Sequence, residues 1–91
     1  MNNAGVLALD GVLDRARAEA WPLRKDSGQG IGVIDLTAVE RIEVAGLALV
    51  AELVERATRA TGKRPTLRGN PPGLEELARA YRIDAGLADF P

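Results

Sequence analysis

Apolar positions along the chain fall into three short clusters that alternate with three longer amphipathic stretches. Val6-Leu7-Ala8-Leu9 is a brief apolar run stopped by Asp10-Gly11, and it predicts a first strand. Ile31, Val33, Ile34 and Leu36 form a second run rich in β-branched residues, cut once by Gly32. Its length and composition suit a strand covered on both faces. A short polar turn should follow, and then a long helix opening at Ala45-Gly46-Leu47. Leu47, Val50, Val54 and Ala57 stand at i, i+3, i+7 and i+10, and Leu49 and Leu53 widen the stripe. That helix should pack on more than one neighbour and end at Gly62 and Pro65. Glu52–Arg56 and Glu55–Arg59 are acid-before-base pairs four apart on its outer face, worth about 0.3 kcal/mol each.

The flanking segments complete the alternation. Val12 to Lys25 predicts a helix with Asp14 as N-cap and Leu13, Ala16, Ala20 and Leu23 as a thin stripe, kinked or ended by Pro22 near Trp21. Asp26 to Gly30 is a loop. Its GQGIG glycines precede a strand, whereas a phosphate-binding loop follows one and opens a helix, so they read as a plain connection. Thr66-Leu67-Arg68 predicts the last strand. Asn70 can cap, and Pro71 can open, a final helix whose stripe is Leu74, Leu77, Ala78 and Tyr81. Glu75 and Glu76 in its first turn and Arg79 and Arg82 in its last match the helix dipole. Ile83, Leu87 and Phe90 should tuck the tail onto the domain. The order strand, helix, strand, helix, strand, helix means an α/β domain, a sheet with helices packed on it.

Composition narrows the chemistry. Ninety-one residues make one domain, 1–91, that buries roughly 60–65% of its unfolded surface. Hydrophobic residues are 46% of the chain but aromatic ones only 3%, so the core must be aliphatic. Without cysteine there is no disulfide, thiolate nucleophile or zinc–sulfur site; without histidine the usual general base and commonest metal ligand are absent. No convergent acid pair stands out, so a catalytic residue, a cofactor and a metal site are not expected. A net charge of −1 argues against a nucleic-acid binder. No apolar run reaches the ~18 residues of a membrane span, and the N-terminus carries no signal-peptide pattern. The expected location is cytoplasmic, with any membrane association supplied by a partner.

Ile34-Asp35-Leu36-Thr37, followed by Arg41-Ile42-Glu43-Val44-Ala45-Gly46-Leu47-Ala48-Leu49, resembles the STAS domain signature. That group includes anti-anti-sigma factors and the small cytoplasmic B subunit of the Mla phospholipid-transport system. Thr66-Leu67-Arg68-Gly69 and Leu77-Ala78-Arg79-Ala80-Tyr81-Arg82-Ile83-Asp84 resemble the Mla-type B subunit in particular. The resemblance covers the chain from about Leu7 onward. It implies a small mixed β-sheet with helices mainly on one face. It also implies that the first family strand is missing or vestigial, because only five residues precede Val6. The strand at 6–9 would then be an exposed edge, open to a homodimer or another chain.

The resemblance also locates a site. In signalling STAS domains an Asp and a phosphorylatable Ser or Thr stand just before the small-Gly-Leu step. Here those positions are Glu43 and Val44, so phosphorylation cannot switch partner binding there. Val44 cannot cap the helix, and Glu43 is one methylene too long to be a preferred cap, although its charge suits the positive helix end. Val44 is either an apolar contact in a constitutive interface or a half-buried residue with no such role. Gly46 is either a place of close approach by a partner or the place where the helix packs on the sheet. Glu43 is more often a solvated charge than a contact. The expected partner surface is Glu43, Val44, Ala45, Gly46 and Leu47, extended by Val50, Ala51 and Val54 on a stripe that also suits the core. The implied partner is the ATPase of an Mla-type ABC phospholipid transporter, at the inner face of the inner membrane. The alternatives are an anti-sigma factor bound without phosphorylation control, or a small ligand.

Other residues invite plainer readings. Asp35 should accept backbone hydrogen bonds at the strand end, and Thr37 should cap a turn rather than serve as a second phosphosite. Trp21 and Tyr81 suit packing, not a stacking platform. Arg56, Arg59, Lys63, Arg64 and Arg68 are interleaved with glutamates and read as a solvated face.

Overall fold

Each apolar cluster of the sequence becomes a strand in a computed structural model that describes residues 5–22 and 29–81, of Tyr81 the backbone only. The elements are β1 (Gly5–Leu13), α1 (Arg15–Ala20), β2 (Ile31–Ile42), α2 (Val44–Thr61), β3 (Thr66–Arg68) and α3 (Leu74–Tyr81). The strands lie in the order β1-β2-β3, and both pairings are parallel. Parallel neighbours need a crossover of a dozen or more residues, and the segments carrying α1 and α2 supply them. The α/β, STAS-like class therefore holds, with an all-parallel sheet among the described strands. A mixed sheet would need the family's first strand, which the sequence reading takes as missing or vestigial. That expectation falls on residues 1–4, outside the described residues, as does the docking of Ile83, Leu87 and Phe90.

The helices cover one face of the sheet. Leu9 and Leu13 of β1 and Ile34, Leu36, Val39 and Ile42 of β2 point into the core. There they meet Leu47, Leu49, Val50, Leu53 and Val54 of α2 and Leu74 of α3. α1 and α3 both pack on α2. Between the core positions of β2, Val33 and Asp35 are half-buried and Thr37 is exposed, so the expectation of a strand covered on both faces is corrected to one helix-covered face. Alternating side chains follow from the two-residue strand repeat, and an Asp on the second face is compatible only with access to water.

Two strands run further than the hydrophobic pattern predicts. β1 does not stop at Asp10-Gly11 but continues to Leu13. Gly11 adopts φ +70°, and the register with β2 shifts between Ala8 and Asp10 and again between Gly11 and Val12. At each shift β2 carries the extra residue opposite β1, a bulge that bends the pair without ending β1, and glycine tolerates the positive φ at Gly11. Arg17 fastens the bend: Nη1 donates to the Asp10 carbonyl and Nη2 to Asp10 Oδ1, both at 2.8 Å. Among the described strands β1 lies at the sheet edge, and its Asp10 is ion-paired with Arg17. β2 extends through the expected polar turn to Ile42, because Thr37, Ala38, Glu40 and Arg41 lie on its exposed side while Val39 and Ile42 stay buried.

The helix boundaries have local causes. Asp14 Oδ1 accepts from the Arg17 amide at 3.0 Å and caps α1, which stops before Trp21-Pro22; the expected start at Val12 is displaced because Val12 and Leu13 belong to β1. α2 ends on Gly62, whose φ of +80° closes the last turn through its amide to the Thr58 carbonyl at 2.8 Å. Nothing lies within 4 Å of where a Gly62 side chain would sit, so Gly62→Ala tests backbone strain alone. It should cost about 1 kcal/mol, read as a fall in Tm of about 4–8 °C. α3 begins at Leu74 rather than Pro71. Pro71 precedes Pro72, and a residue before proline is held out of the helical region. The Pro72 carbonyl instead accepts from the Ile42 amide at 3.2 Å, tying the entry of α3 to the end of β2.

Candidate partner-binding surface

The end of β1, the end of β2 and the start of α2 meet at one point. The Glu43 amide donates to the Leu13 carbonyl at 2.9 Å, and the Glu43 carbonyl accepts from the Leu47 amide at 2.9 Å. Glu43 is thus the N-cap position, with the extended backbone (φ −111°, ψ 176°) of such residues, yet its side chain makes no capping bond. Its carboxylate pairs with Arg41 Nη2 at 2.6 Å instead. Both partners are about half exposed, so this pair contributes well under 1 kcal/mol. Glu43→Asp shortens the side chain to cap length. It should raise stability by about 0.5–1 kcal/mol in a denaturant melt, the cap gain exceeding the loss of the exposed pair.

Gly46 sits directly over β1. A Cβ built on it would lie 2.2 Å from the Leu13 carbonyl oxygen and 2.6 Å from Leu13 Cβ. Of the two roles open to Gly46 in the sequence, the observed one is helix-on-strand packing. Leu47, Val50 and Val54 are also core residues, 1%, 0% and 2% exposed, so they cannot meet a partner while the domain is folded. The anticipated surface therefore narrows. Glu43 and Val44 are exposed and Ala45 and Ala51 half-buried, and they are joined by Ala48, exposed one turn beyond Val44. Val44 is 46% exposed and, with Val6, is one of two exposed large hydrophobic residues among the described ones.

A groove opens beside Val44. Arg41, Ile42, Glu43 and Val44 form one side, and Pro72, Gly73, Glu76 and Leu77 of the α3 entry form the other, around about 460 Å³. The sequence reading missed this side of the site. Leu77, a stripe residue of α3 read as core, is only half-buried there.

The remaining candidates have structural roles. Asp35 Oδ1 accepts from the Thr37 amide at 3.0 Å and from Thr37 Oγ1 at 2.7 Å, and Arg68 Nη1 lies 3.7 Å from Oδ2. The Thr37 amide bond foremost, then the Thr37 hydroxyl and the Arg68 charge, hold the Asp35 carboxyl below the usual Asp value of 3.8. A depressed folded-state pKa adds stability that is present above the unfolded-state value and lost as pH falls through the lower folded-state value. Asp35→Asn should therefore flatten the acid limb of a stability-versus-pH curve below about pH 4, measured by chemical denaturation. Arg56 pairs with Glu52 at 2.8 Å and Arg59 with Glu55 at 2.7 Å, the intrahelical pairs expected of a solvated face. Among the described residues no group of three or more acidic side chains could hold a metal ion, and no helix is long and apolar enough to cross a membrane.

A three-stranded parallel sheet, helices on one face, and a long helix that enters over β1 through a glycine and opens on an exposed residue together define a STAS-type domain. Comparison with known families agrees: the model for the Mlab STAS domain matches residues 1–89, and the chain belongs to that family. Among curated proteins it is 35% identical over 86 residues to the intermembrane phospholipid transport system binding protein MlaB of Escherichia coli K12, covering 93% of this chain and 88% of the relative. The protein of the same name from Shigella flexneri matches to the same extent.

Proposed function

We propose that this domain is a non-enzymatic subunit that binds the cytoplasmic ATPase of an ABC phospholipid transporter and supports its assembly or activity. It works at the inner face of the inner membrane, held there by that complex. The observation that carries the reading is Val44: an apolar side chain left 46% exposed at the start of an uncapped helix, where signalling relatives carry a hydroxyl. Full burial of a valine is worth roughly 1.5–3 kcal/mol, so covering the exposed half contributes about 1 kcal/mol to association. A partner carbonyl or carboxylate can also take up first-turn N–H groups of α2 that Glu43 leaves uncapped. The relatives are named as binding proteins of an intermembrane phospholipid transport system, which supports the choice of partner. Because Val44 offers no phosphorylation site, association is constitutive.

Affinity purification of the tagged protein from its native host in mild detergent, followed by mass spectrometry, tests this. An ABC ATPase and its permease should co-purify. Recovery of an anti-sigma factor without an ATPase would replace the transport reading with a regulatory one.

A further inference from the structure

The groove beside Val44 has an apolar floor and an acidic rim, and that combination specifies what it receives. Val44, Pro72 and Leu77 supply the accessible apolar surface, with the core residue Ile42 beneath them. The groove is a shallow, open depression of about 460 Å³, against which a side chain of a partner can lie. The rim carries Arg41, Glu43 and Glu76. Arg41 and Glu43 neutralise each other at 2.6 Å. Glu76 has no ionic partner among the described residues, whereas its neighbour Glu75 lies 3.9 Å from Arg79. The rim thus has one uncompensated negative charge, placed over an apolar floor.

We infer that this groove is the anchor pocket of the interface, receiving a bulky aliphatic or aromatic side chain of the partner protein with a lysine or arginine beside it that pairs with Glu76. The inference rests on the reading of Glu43, Val44 and Ala45 as the partner-facing surface and extends that surface across to α3. The charge selects the occupant. A fatty acid or anionic phospholipid would bring its own negative group against Glu76. A protein segment with an apolar anchor and a flanking cation satisfies both floor and rim, which is the usual anatomy of an interface centre and its edge.

The test measures Kd for the whole chain and the ATPase subunit of the transporter from the same organism, for wild type, Val44→Asp, Glu76→Gln and Glu76→Lys. Glu76 is exposed on the first turn of α3, so its replacement leaves the core intact. Glu76→Lys should weaken binding by about tenfold or more and remove part of its salt dependence, with Glu76→Gln between it and wild type. A photo-crosslinking residue at position 77 should capture an ATPase peptide with a bulky apolar residue within two or three positions of a lysine or arginine. If Val44→Asp abolishes binding while Glu76→Lys leaves Kd within about twofold of wild type, the anchor pocket is refuted and the Val44 surface stands. Capture of a peptide without a basic residue also refutes it. If neither substitution affects binding, the underlying surface assignment fails as well.

Discussion

Gly46→Ala is expected to cost the domain about 3 kcal/mol. The added methyl would overlap the Leu13 carbonyl oxygen at 2.2 Å, and a backbone atom within β1 cannot step aside as a side-chain end can. Overpacking of this kind costs about 1–3 kcal/mol, and more when backbone must move. Alanine's better helix propensity returns about 1 kcal/mol, so the collision has to exceed the upper part of that range for the prediction to hold. The tight approach makes this so: α2 must lift from β1, and the lift also strains the Glu43 amide bond to Leu13 at 2.9 Å. Against a typical total of about 5–15 kcal/mol, the loss should lower Tm by roughly 12–24 °C. Trp21, packed against the core, gives a fluorescence signal for the melt. Ala48→Gly, a change on the exposed side of the same helix, serves as the control and should cost only about 1 kcal/mol. A Gly46→Ala protein as stable as wild type would mean that α2 does not rest on β1 as described.

Val44→Asp separates binding from folding. In the free domain the introduced carboxylate would sit in the first turn of α2, where a negative charge is favourable by about 0.3–1 kcal/mol, so Tm should hold or rise slightly. In the complex the same carboxylate would be desolvated against the partner's apolar anchor, with the partner's flanking cation already engaged by Glu76. Breaking complementarity in this way costs about 3 kcal/mol or more, above a hundredfold in Kd. Titration calorimetry with the ATPase subunit measures it. Unchanged affinity would remove Val44 from the interface, and a fall in Tm would show that the residue serves the fold.

Legibility in the sequence followed periodicity. α2 and α3 carry apolar stripes at helical spacing; the predicted face of α2 is buried, and in α3 Leu74 and Ala78 are buried while Leu77 is half-buried. The strands were harder. In β2 the buried positions after Ile34 are Leu36, Val39 and Ile42, a spacing of two and then three, because register shifts break the alternation that identifies a strand. β1 was cut short for the same reason at Asp10-Gly11. At the site, the missing cap could be read from Glu43 and Val44 directly, whereas the sequence left Val44 open between an interface contact and a half-buried residue. The roles of Gly46, Leu47, Val50 and Val54 could not be read. A helical stripe gives the phase of a helix but not what lies against it, and only the Leu13 carbonyl beneath Gly46 fixes that face as core. The groove was out of reach for a related reason. It joins Ile42 and Val44 to residues about thirty positions later, through the Pro72 carbonyl bond to the Ile42 amide.

The most direct test of the central claim is amide hydrogen exchange of the whole chain with and without the transporter ATPase subunit. Exchange at Val44, Ala45 and Ala48 should slow markedly in the complex, with slowing also at Glu76 and Leu77. Thr37 and Arg68, on the side of the sheet away from the described helices, should exchange at the same rate in both states. A complex that forms but leaves Val44 to Ala48 unprotected, or protects the Thr37 side instead, would contradict the account.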